Sequence, residues 1–454
     1  MPTTDTTNFN QHFTVGRLLR FTWPTVAMTV TMSIYSMVDG LFVSNYTGTT
    51  AFAAINLVWP YVAVVSSIGF MFGAGGSALV AKTLGEESPS QGRGESSQRA
   101  NQIFSMITEV VVISALFFTL LGVLTIRPVA LALGASEEML PICVEYGSVL
   151  LSCIAFGFLQ FYFQNLMATA GKPKLGFWVM VAAGVTNIVF DALFIAVLGW
   201  GVRGVAIATA MGFAVGGLVP LVYFLLKNNS LLRLRLCRIE WRPIAKASSN
   251  GLSELMSNLC LPLVSMLYNL QLMAYIGESG VAVYGMIMYV GYIFIAIFLG
   301  FSIGSVPIIA YQFGARNSAE LRSLLRKCLW LNFAGGVLMF LLSEAIIPTL
   351  NTLYFSYDES LCRLGTHAFR LFALCYVVAG VNIFISAWFT GLNNGLVSAA
   401  CSFLRSALEA AAVLLLPLVL LTDGIWLSSL TAEVLAASIG AALLVGYRKK
   451  FTRK

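Results

Sequence analysis

Charged residues are scarce in this chain. Asp, Glu, Lys and Arg make up 10% of its 454 residues, whereas an ordinary soluble domain carries about 25%. Histidine is rarer still, with only His12 and His367, and the eight cysteines form no CxxC pair and no closely spaced set. Metal sites built from Cys and His need such spacing. The composition therefore excludes a soluble globular protein, and we expect no zinc site and no bound cofactor.

Nucleotide-binding and catalytic motifs are missing as well. Gly73, Gly75 and Gly76 occur in one apolar stretch, but the Gly-Lys-Ser/Thr ending of a phosphate loop does not follow them. Close packing between helices explains these glycines better. Neither a histidine cluster nor a catalytic triad pattern is present. We therefore do not expect an enzyme, and any transport by this chain has to be driven by an ion gradient.

Long apolar runs are what the sequence does contain. Hydrophobic residues make up 58% of the chain, and the mean hydropathy is +0.84. A helix needs roughly 20 apolar residues to cross a bilayer, and twelve such segments are present. The predicted spans are 17–45, 51–82, 101–126, 141–168, 176–198, 204–227, 247–275, 281–312, 328–348, 364–390, 396–420 and 425–447. No run alternates polar and apolar residues as a barrel strand does, so we predict an all-α integral membrane protein.

Basic residues concentrate on alternate loops. If the N-terminus and the even-numbered connections are cytoplasmic, 22 of the 27 Lys and Arg residues lie inside, including Arg93, Arg453 and Lys454. This positive-inside bias predicts a multi-pass protein of the plasma (inner) membrane with both termini in the cytoplasm. The net charge of +7 then reflects topology and contact with anionic membrane lipids, and we expect no nucleic-acid partner.

A weak internal repeat divides the twelve spans into two sets of six. The matches under a shift of 229 residues include Tyr46 on Tyr275, Gly48 on Gly277, Phe72 on Phe301, Gly75 on Gly304 and Gly85 on Gly314. Because six is an even number, the two halves have the same orientation and are parallel repeats. We predict an N-lobe over residues 1–230 and a C-lobe over residues 231–454, two pseudo-symmetric six-helix lobes around a central cavity.

Two carboxylates interrupt the apolar segments of the first half. At a rise of 1.5 Å per residue, Asp39 lies about 9 Å and Asp191 about 10 Å below the outer ends of their spans. Asn187 projects from the same helix face as Asp191, and Thr209 lies at a similar depth in the sixth span. An ionised side chain in a bilayer needs a partner or a polar cavity, so these positions predict an ion-binding site. The repeat places Asp39 on Tyr268, which puts this carboxylate chemistry in one lobe.

Two ions suit these oxygens. Burial and a second carboxylate nearby both favour the protonated form of an aspartate, and the two acids would then titrate as a pair. Alternatively, the carboxylate, amide and hydroxyl oxygens of Asp39, Asn187, Asp191 and Thr209 bind Na⁺. A polar network that only joins helices is the structural alternative. The sequence leaves the choice between proton and sodium open.

These residues, in this order, resemble those of the multidrug and toxic compound extrusion (MATE) family. The resemblance covers nearly the whole chain, with twelve spans in two lobes, Pro24 and Tyr35 ahead of Asp39, and the stretch Asn187-Ile-Val-Phe-Asp191. The run from Leu198 to Thr209 is similar to the hairpin between helices five and six of that family.

The resemblance implies specific roles for these residues. In the branch that this chain resembles most, the N-lobe cation or proton site is formed by the residues equivalent to Asp39, Asn187, Asp191 and Thr209, with Tyr35 beside it. Pro24 matches a hinge at which the first helix bends when the site is protonated. Proline permits such a bend because it removes a helix hydrogen bond, and a static bend is the alternative.

Further polar residues are secondary candidates. Glu254 in the seventh span is similar in position to a glutamate used in the C-lobe of another branch of the family. That branch also has an acid in the tenth span, and Arg370 to Asn382 contains none, so a complete C-lobe cation site is not predicted. The remaining candidates are Gln160, Gln164 and Asn165 as N-lobe lining, and Glu109, Glu409 and Glu433, which either face the cavity or pair with Arg405 and other polar groups.

The resemblance implies efflux of amphipathic, cationic organic compounds by antiport against H⁺ or Na⁺ with alternating access, and we expect a monomer. The alternative is a lipid-linked oligosaccharide flippase of the same superfamily. Such a flippase would need cationic residues in its cavity to hold a pyrophosphate. Intramembrane acids outnumber Arg and Lys in this chain, which favours the export of cations.

Overall fold

Every regular element in the described residues is a helix. The computed structural model describes residues 9–86, 95–235, 237–355 and 359–452; Arg93, Arg453 and Lys454 of the predicted cytoplasmic set lie outside them. The first six spans contain α1 (Val15–Tyr46), α2 (Thr49–Gly85), α3 (Glu95–Ala132), α4 (Met139–Ser152), α5 (Ile154–Thr169), α6 (Pro173–Asp191) and α7 (Gly201–Leu225). The second six contain α8 (Trp241–Tyr275), α9 (Glu278–Gly314), α10 (Ser318–Phe355), α11 (Glu359–Ala373), α12 (Tyr376–Gly391), α13 (Gly395–Leu415) and α14 (Pro417–Thr452).

These helices account for twelve spans. Ten stretches are long and apolar enough to cross a bilayer, and α4 with α5 forms a further, bent one. The 32-residue α1 is the twelfth long helix. Helices of 37 or 38 residues such as α2, α3 and α10 are about 56 Å long, far beyond a hydrocarbon core of roughly 30 Å. They therefore tilt or extend beyond the lipid, and most helix ends lie outside the predicted spans.

Two predicted spans are interrupted near their middle, and a third, 396–420, ends early because α13 stops at Leu415 and α14 begins at Pro417. The span predicted at 141–168 consists of α4 and α5, which meet at Cys153 with a bend of 55°. The span predicted at 364–390 is likewise interrupted between α11 and α12, at Leu374 and Cys375. Neither break contains a proline or a glycine, so the helix-breaking signals that a sequence offers are missing at both.

The two lobes touch through α1, α2, α8 and α9. A Cβ atom on Gly75 of α2 would lie 1.9 Å from the Ala247 carbonyl oxygen of α8, and one on Gly251 of α8 would lie 1.8 Å from the Met71 carbonyl oxygen. Only glycine permits this approach of two backbones. All four residues lie in the parts of α2 and α8 nearer to the end of the molecule at which α1 begins and α14 ends. We call this the terminal end, and it is where the lobes are in close contact.

The connection between the lobes is fixed against α3. The Arg233 and Arg235 backbone N–H groups donate to Asn101 Oδ1 (2.8 Å) and Ser105 Oγ (3.0 Å). Arg99 donates from both terminal nitrogens to Glu240, at 2.7 Å each. The adjacent guanidinium holds the pKa of the exposed Glu240 carboxyl below its usual range. The described part of the connection therefore packs against α3 of the N-lobe.

Candidate ion-binding site

The structure brings the two N-lobe aspartates together. Asp39 of α1 contacts the side chains of Asp191 and Asn187 of α6. Asp191 is fully buried and Asn187 is 2% exposed. α6 begins with Pro173 at its first turn, where proline is tolerated, and a π-helical turn over Ala192–Val197 follows Asp191 directly. Such turns are frequent at functional sites, and this one changes the helix register next to the acid.

Four oxygens of this cluster lack a hydrogen-bond donor when both acids are ionised. Asp39 Oδ1, Asn187 Oδ1 and both Asp191 carboxylate oxygens are buried without a hydrogen-bond partner among the described residues. Buried polar atoms normally have a partner, because an unmade hydrogen bond costs about 1–3 kcal/mol and more for a charged group. One proton on either carboxyl group would supply the missing donor between Asp39 and Asp191. A small cation would satisfy the same oxygens.

Two hydroxyls complete the surroundings of the acids. Gly212 of α7 packs against Asn187, and Thr209 lies one turn earlier on that helix, 9% exposed. The Thr209 hydroxyl donates to the Val205 carbonyl at 3.0 Å, which leaves its lone pairs for an ion but no proton for the carboxylates. Tyr146 of α4 is 2% exposed and interacts electrostatically with both aspartates. Sequence reasoning missed it, because nothing distinguishes Tyr146 from the other 15 tyrosines.

A stripe of polar side chains on α5 leads away from the acids. Tyr35 interacts with Asp39, and its hydroxyl accepts a hydrogen bond from Gln160 Nε2 at 3.3 Å. Gln164 is one turn further along α5; it is 4% exposed, and its Oε1 has no partner among the described residues. The predicted N-lobe lining is therefore brought together, with Gln160 linked to the acid cluster through Tyr35.

Comparison with known proteins decides the family. The MatE family model matches residues 24–193 and 255–413, one stretch on each side of residue 230. The chain belongs to the MATE family. Multidrug export protein MepA of Staphylococcus aureus (strain NCTC 8325 / PS 47) is 22% identical to it over 438 residues, which are 95% of this chain and 93% of MepA.

Solved MATE structures have the same fold. A MATE protein in complex with MaL6 superposes with a TM-score of 0.91. The outward-facing conformation of a multidrug resistance MATE family transporter of the MOP superfamily gives 0.90. Both are 20% identical to this chain, and both comparisons cover 100% of each chain. The predicted all-α architecture of twelve spans in two lobes is thereby confirmed.

In this MATE protein a cavity lies between the lobes, on the terminal side of the acid cluster. The cavity is small in this conformation, with a volume of about 20 Å³, which is room for about one water molecule. Ala74, Ser77 and Asn165 line it from the N-lobe, and Glu254 and Ser302 are among its C-lobe residues. No hydrogen bond to the Glu254 carboxylate is found within the described parts of the chain. Glu254 thus faces the central cavity, well separated from the Asp39 cluster.

Pro24 lies where α1 meets the C-lobe. The helix continues through it, and the residues on either side pack against α9. A Cβ atom on Gly300 would lie 2.3 Å from Thr29 Oγ1 and 2.5 Å from Val26 Cα, and Thr29 Oγ1 donates to the Ala296 carbonyl at 2.7 Å. Asp39 is 15 residues from Pro24, about 22 Å along α1. A bend at Pro24 would therefore act directly on the contact between the lobes.

The remaining acids are outside the central cavity. Glu109 of α3 accepts a hydrogen bond from the Cys237 backbone N–H at 3.4 Å, so it contacts the connection between the lobes. Glu433 forms an ion pair with Arg405. Glu409 accepts hydrogen bonds from Tyr268 and Ser429. Of the two alternatives for these three glutamates, the structure therefore contains the one in which they pair with Arg405 or with other polar groups.

Proposed function

We propose that this MATE protein exports amphipathic organic cations by antiport against protons. The acid cluster of Asp39 and Asp191 binds the proton, with Asn187, Thr209 and Tyr35 around it. The observation that carries the proposal is the set of buried carboxylate and amide oxygens without donors, because a proton between the two carboxyl groups supplies the missing hydrogen bond. Na⁺ bound by the same oxygens is the alternative coupling ion.

The central cavity is the proposed substrate site. Glu254 is the only ionisable residue among those that line it, so the cavity carries negative charge and attracts cations. A lipid-linked oligosaccharide flippase would need Lys or Arg there to hold a pyrophosphate, which makes this second candidate function the weaker one. The name of MepA, a multidrug export protein, agrees with export of organic compounds.

The proposed cycle begins when protons enter from the side opposite the terminal end. Protonation of the acid cluster changes the charge on α1, which contacts α9 of the C-lobe around Pro24. Movement of α1 against α9 alters the contact between the lobes, releases substrate on the outer side and then discharges the proton on the terminal side. We assign the terminal end to the cytoplasm and the lobe boundary to residue 230, and we propose a monomer in the plasma membrane.

Transport in proteoliposomes tests the proposal. Ethidium serves as the probe, and pH and Na⁺ gradients are imposed separately. We expect ethidium transport with the pH gradient alone, and at least a tenfold loss of rate in Asp39→Asn and in Asp191→Asn, because neither amide can bind and release a proton. Asp423→Asn is the matched control, since Asp423 is exposed and pairs with His367. If only the Na⁺ gradient drives transport, Na⁺ and not the proton is the coupling ion. Full activity in both Asp39→Asn and Asp191→Asn would refute the proposed site.

A further inference from the structure

The C-lobe contains a buried acid in the position that corresponds to the N-lobe cluster. Asp39 lies seven residues before the end of α1 at Tyr46, and Tyr268 lies seven residues before the end of α8 at Tyr275. These are the first spans of the two lobes. Tyr268 therefore corresponds to Asp39. α8 has no acid at this position, but Tyr268 donates a hydrogen bond to an acid on α13, Glu409.

The fifth spans match in the same way. Asp191 lies six residues before Val197, the last residue of the π-helical turn that extends α6, and Glu409 lies six residues before the end of α13 at Leu415. One turn before Asp191 stands Asn187, and one turn before Glu409 stands Arg405. Glu409 thus takes the place of Asp191, and an arginine takes the place of the amide.

The sixth spans supply the hydroxyl. Thr209 is eight residues beyond Gly201, where the backbone has a φ of 56°, and Ser429 is eight residues beyond Leu421, where φ is 53°. Ser429 Oγ donates to Glu409 Oε1 at 3.0 Å, and Tyr268 Oη donates to the same oxygen at 3.4 Å. The contacts of Glu409 therefore come from the counterparts of Asp39 and Thr209.

The charges in this C-lobe cluster do not balance when both glutamates are ionised. Arg405 Nε and Nη2 bind Glu433 Oε1 at 2.7 and 2.6 Å. Asn382 donates to Glu433 Oε2 at 2.5 Å. Arg405 is thereby neutralised by the fully paired Glu433, which leaves Glu409 with one negative charge and only neutral donors. A charge inside a bilayer-spanning bundle is expensive unless it is compensated.

Among the described residues, the ionisable groups that interact with Glu409 include no second cation. They are Arg405 on its own helix, Glu433 on α14, Tyr268 on α8, Tyr284 on α9 and Cys375 between α11 and α12. Glu409 is only partly buried and lies about 9 Å from the outer end of α13. It is therefore at the depth of the N-lobe acids, within reach of the same side of the membrane.

We propose that Glu409 is a second proton-binding site, in the C-lobe, which takes up one proton per cycle in addition to the one bound between Asp39 and Asp191. This inference rests on the proposed proton antiport. One extra proton makes the exchange for a monovalent cation sensitive to the membrane potential. At 100 mV one charge changes the equilibrium ethidium ratio about 50-fold.

The test measures how many charges move per ethidium. Proteoliposomes are set to a series of potentials at fixed pH and ethidium gradients, and the potential at which net flux stops is determined. We expect Glu409→Gln to move one charge fewer than the wild type, which removes the 50-fold effect of 100 mV. Glu359→Gln is the matched control, because Glu359 is exposed and pairs with Arg363 one turn away. An unchanged charge count in folded Glu409→Gln overturns the proposal.

A second measurement does not depend on transport. The infrared C=O band of protonated carboxyl groups is recorded for purified protein over a pH titration. We expect Glu409→Gln to lack one component of this band, and Ser429→Ala, which keeps the acid but removes its donor, to shift that component. If neither variant changes the band, Glu409 binds no proton. If the Glu409 component is present but Asp39→Asn and Asp191→Asn transport normally, the C-lobe site stands and the proposed role of the N-lobe fails.

Discussion

The hydroxyl of Tyr146 lies within the electrostatic field of both N-lobe aspartates. Its ring is buried in the N-lobe core with Val58 and Leu150, so the hydroxyl is held in place by packing. A phenol group near two carboxylates stabilises whichever of them is ionised, since hydrogen bonds and dipoles act strongly where water is excluded. Tyr146 is therefore a positioning residue for the proton site.

Tyr146→Phe should slow ethidium transport several-fold, because it removes a phenol dipole near the two carboxylates from a site that excludes water. Stability should change little, since the ring is retained. Tyr162→Phe is the matched control. That hydroxyl is also buried but bonds Thr108 Oγ1 at 2.8 Å, away from the acids, so its loss should lower the melting temperature and leave the rate unchanged. Equal rates in the two variants would exclude Tyr146 from the site.

Among the elements, α1 and α9 carry the contact by which the N-lobe site acts on the C-lobe. Gly300 and Gly304 of α9 face Thr29 and Thr22 of α1, on either side of Pro24. Two helices that meet through glycines have no side-chain layer to absorb a movement, so a bend of α1 must separate them or displace α9. This geometry makes α1 the link between the proposed proton site and the lobe interface.

Gly300→Ala should weaken this contact. The added methyl would lie within 2.5 Å of Val26 Cα, and overpacking of this kind typically costs about 1–3 kcal/mol. Gly285→Ala on the same helix has open space around its Cβ and should stabilise α9 by up to about 1 kcal/mol, through helix propensity alone. Thermal melting of both variants in detergent checks the opposite signs. A stabilised Gly300→Ala would show that α1 and α9 separate without cost.

The elements also show what the sequence can and cannot reveal. Apolar runs predicted twelve spans, and depth along the helices placed Asp39, Asn187 and Asp191 in one layer, because both follow from local periodicity and helix rise. The bend at Cys153 carries no local signal. The counterpart of Asp191 was missed, because the shift of 229 residues that aligns the first two spans no longer applies at Glu409. Contacts between distant helices depend on tertiary packing, which a single repeat shift does not describe.

At the scale of the whole molecule, the segment before α1 ties the two lobes together at the terminal end. His12 Nδ1 lies 2.5 Å from Glu320 Oε2 of α10, and the Phe13 backbone N–H donates to Glu320 Oε1 at 2.9 Å. Lys327 Nζ donates to the Phe13 carbonyl at 2.6 Å. The Phe9 ring packs against Tyr311 of α9 with ring centroids 5.4 Å apart and the ring planes tilted by 32°. Residues 9–13, which precede α1 of the N-lobe, thus bind to α9 and α10 of the C-lobe at the terminal end. We call this set of contacts the clamp.

Opening the cavity on the terminal side requires this clamp to break. Glu320→Gln replaces a largely buried carboxylate with an amide, which weakens the contacts with His12 Nδ1 and with the Phe13 N–H. Hydrogen–deuterium exchange over residues 9–17 should therefore accelerate about tenfold, as expected for a loss of about 1.4 kcal/mol in local opening. Glu344→Gln is the control on the same helix, because Glu344 pairs with Arg370 at the opposite end of α10.

Unchanged exchange over residues 9–17 in Glu320→Gln would mean that aromatic packing alone holds the segment. Faster exchange in both variants would mean that α10 itself is loosened. If the clamp acts as described, only Glu320→Gln also favours the form of the transporter that is open on the terminal side, since the substitution removes interactions that exist only when that side is closed.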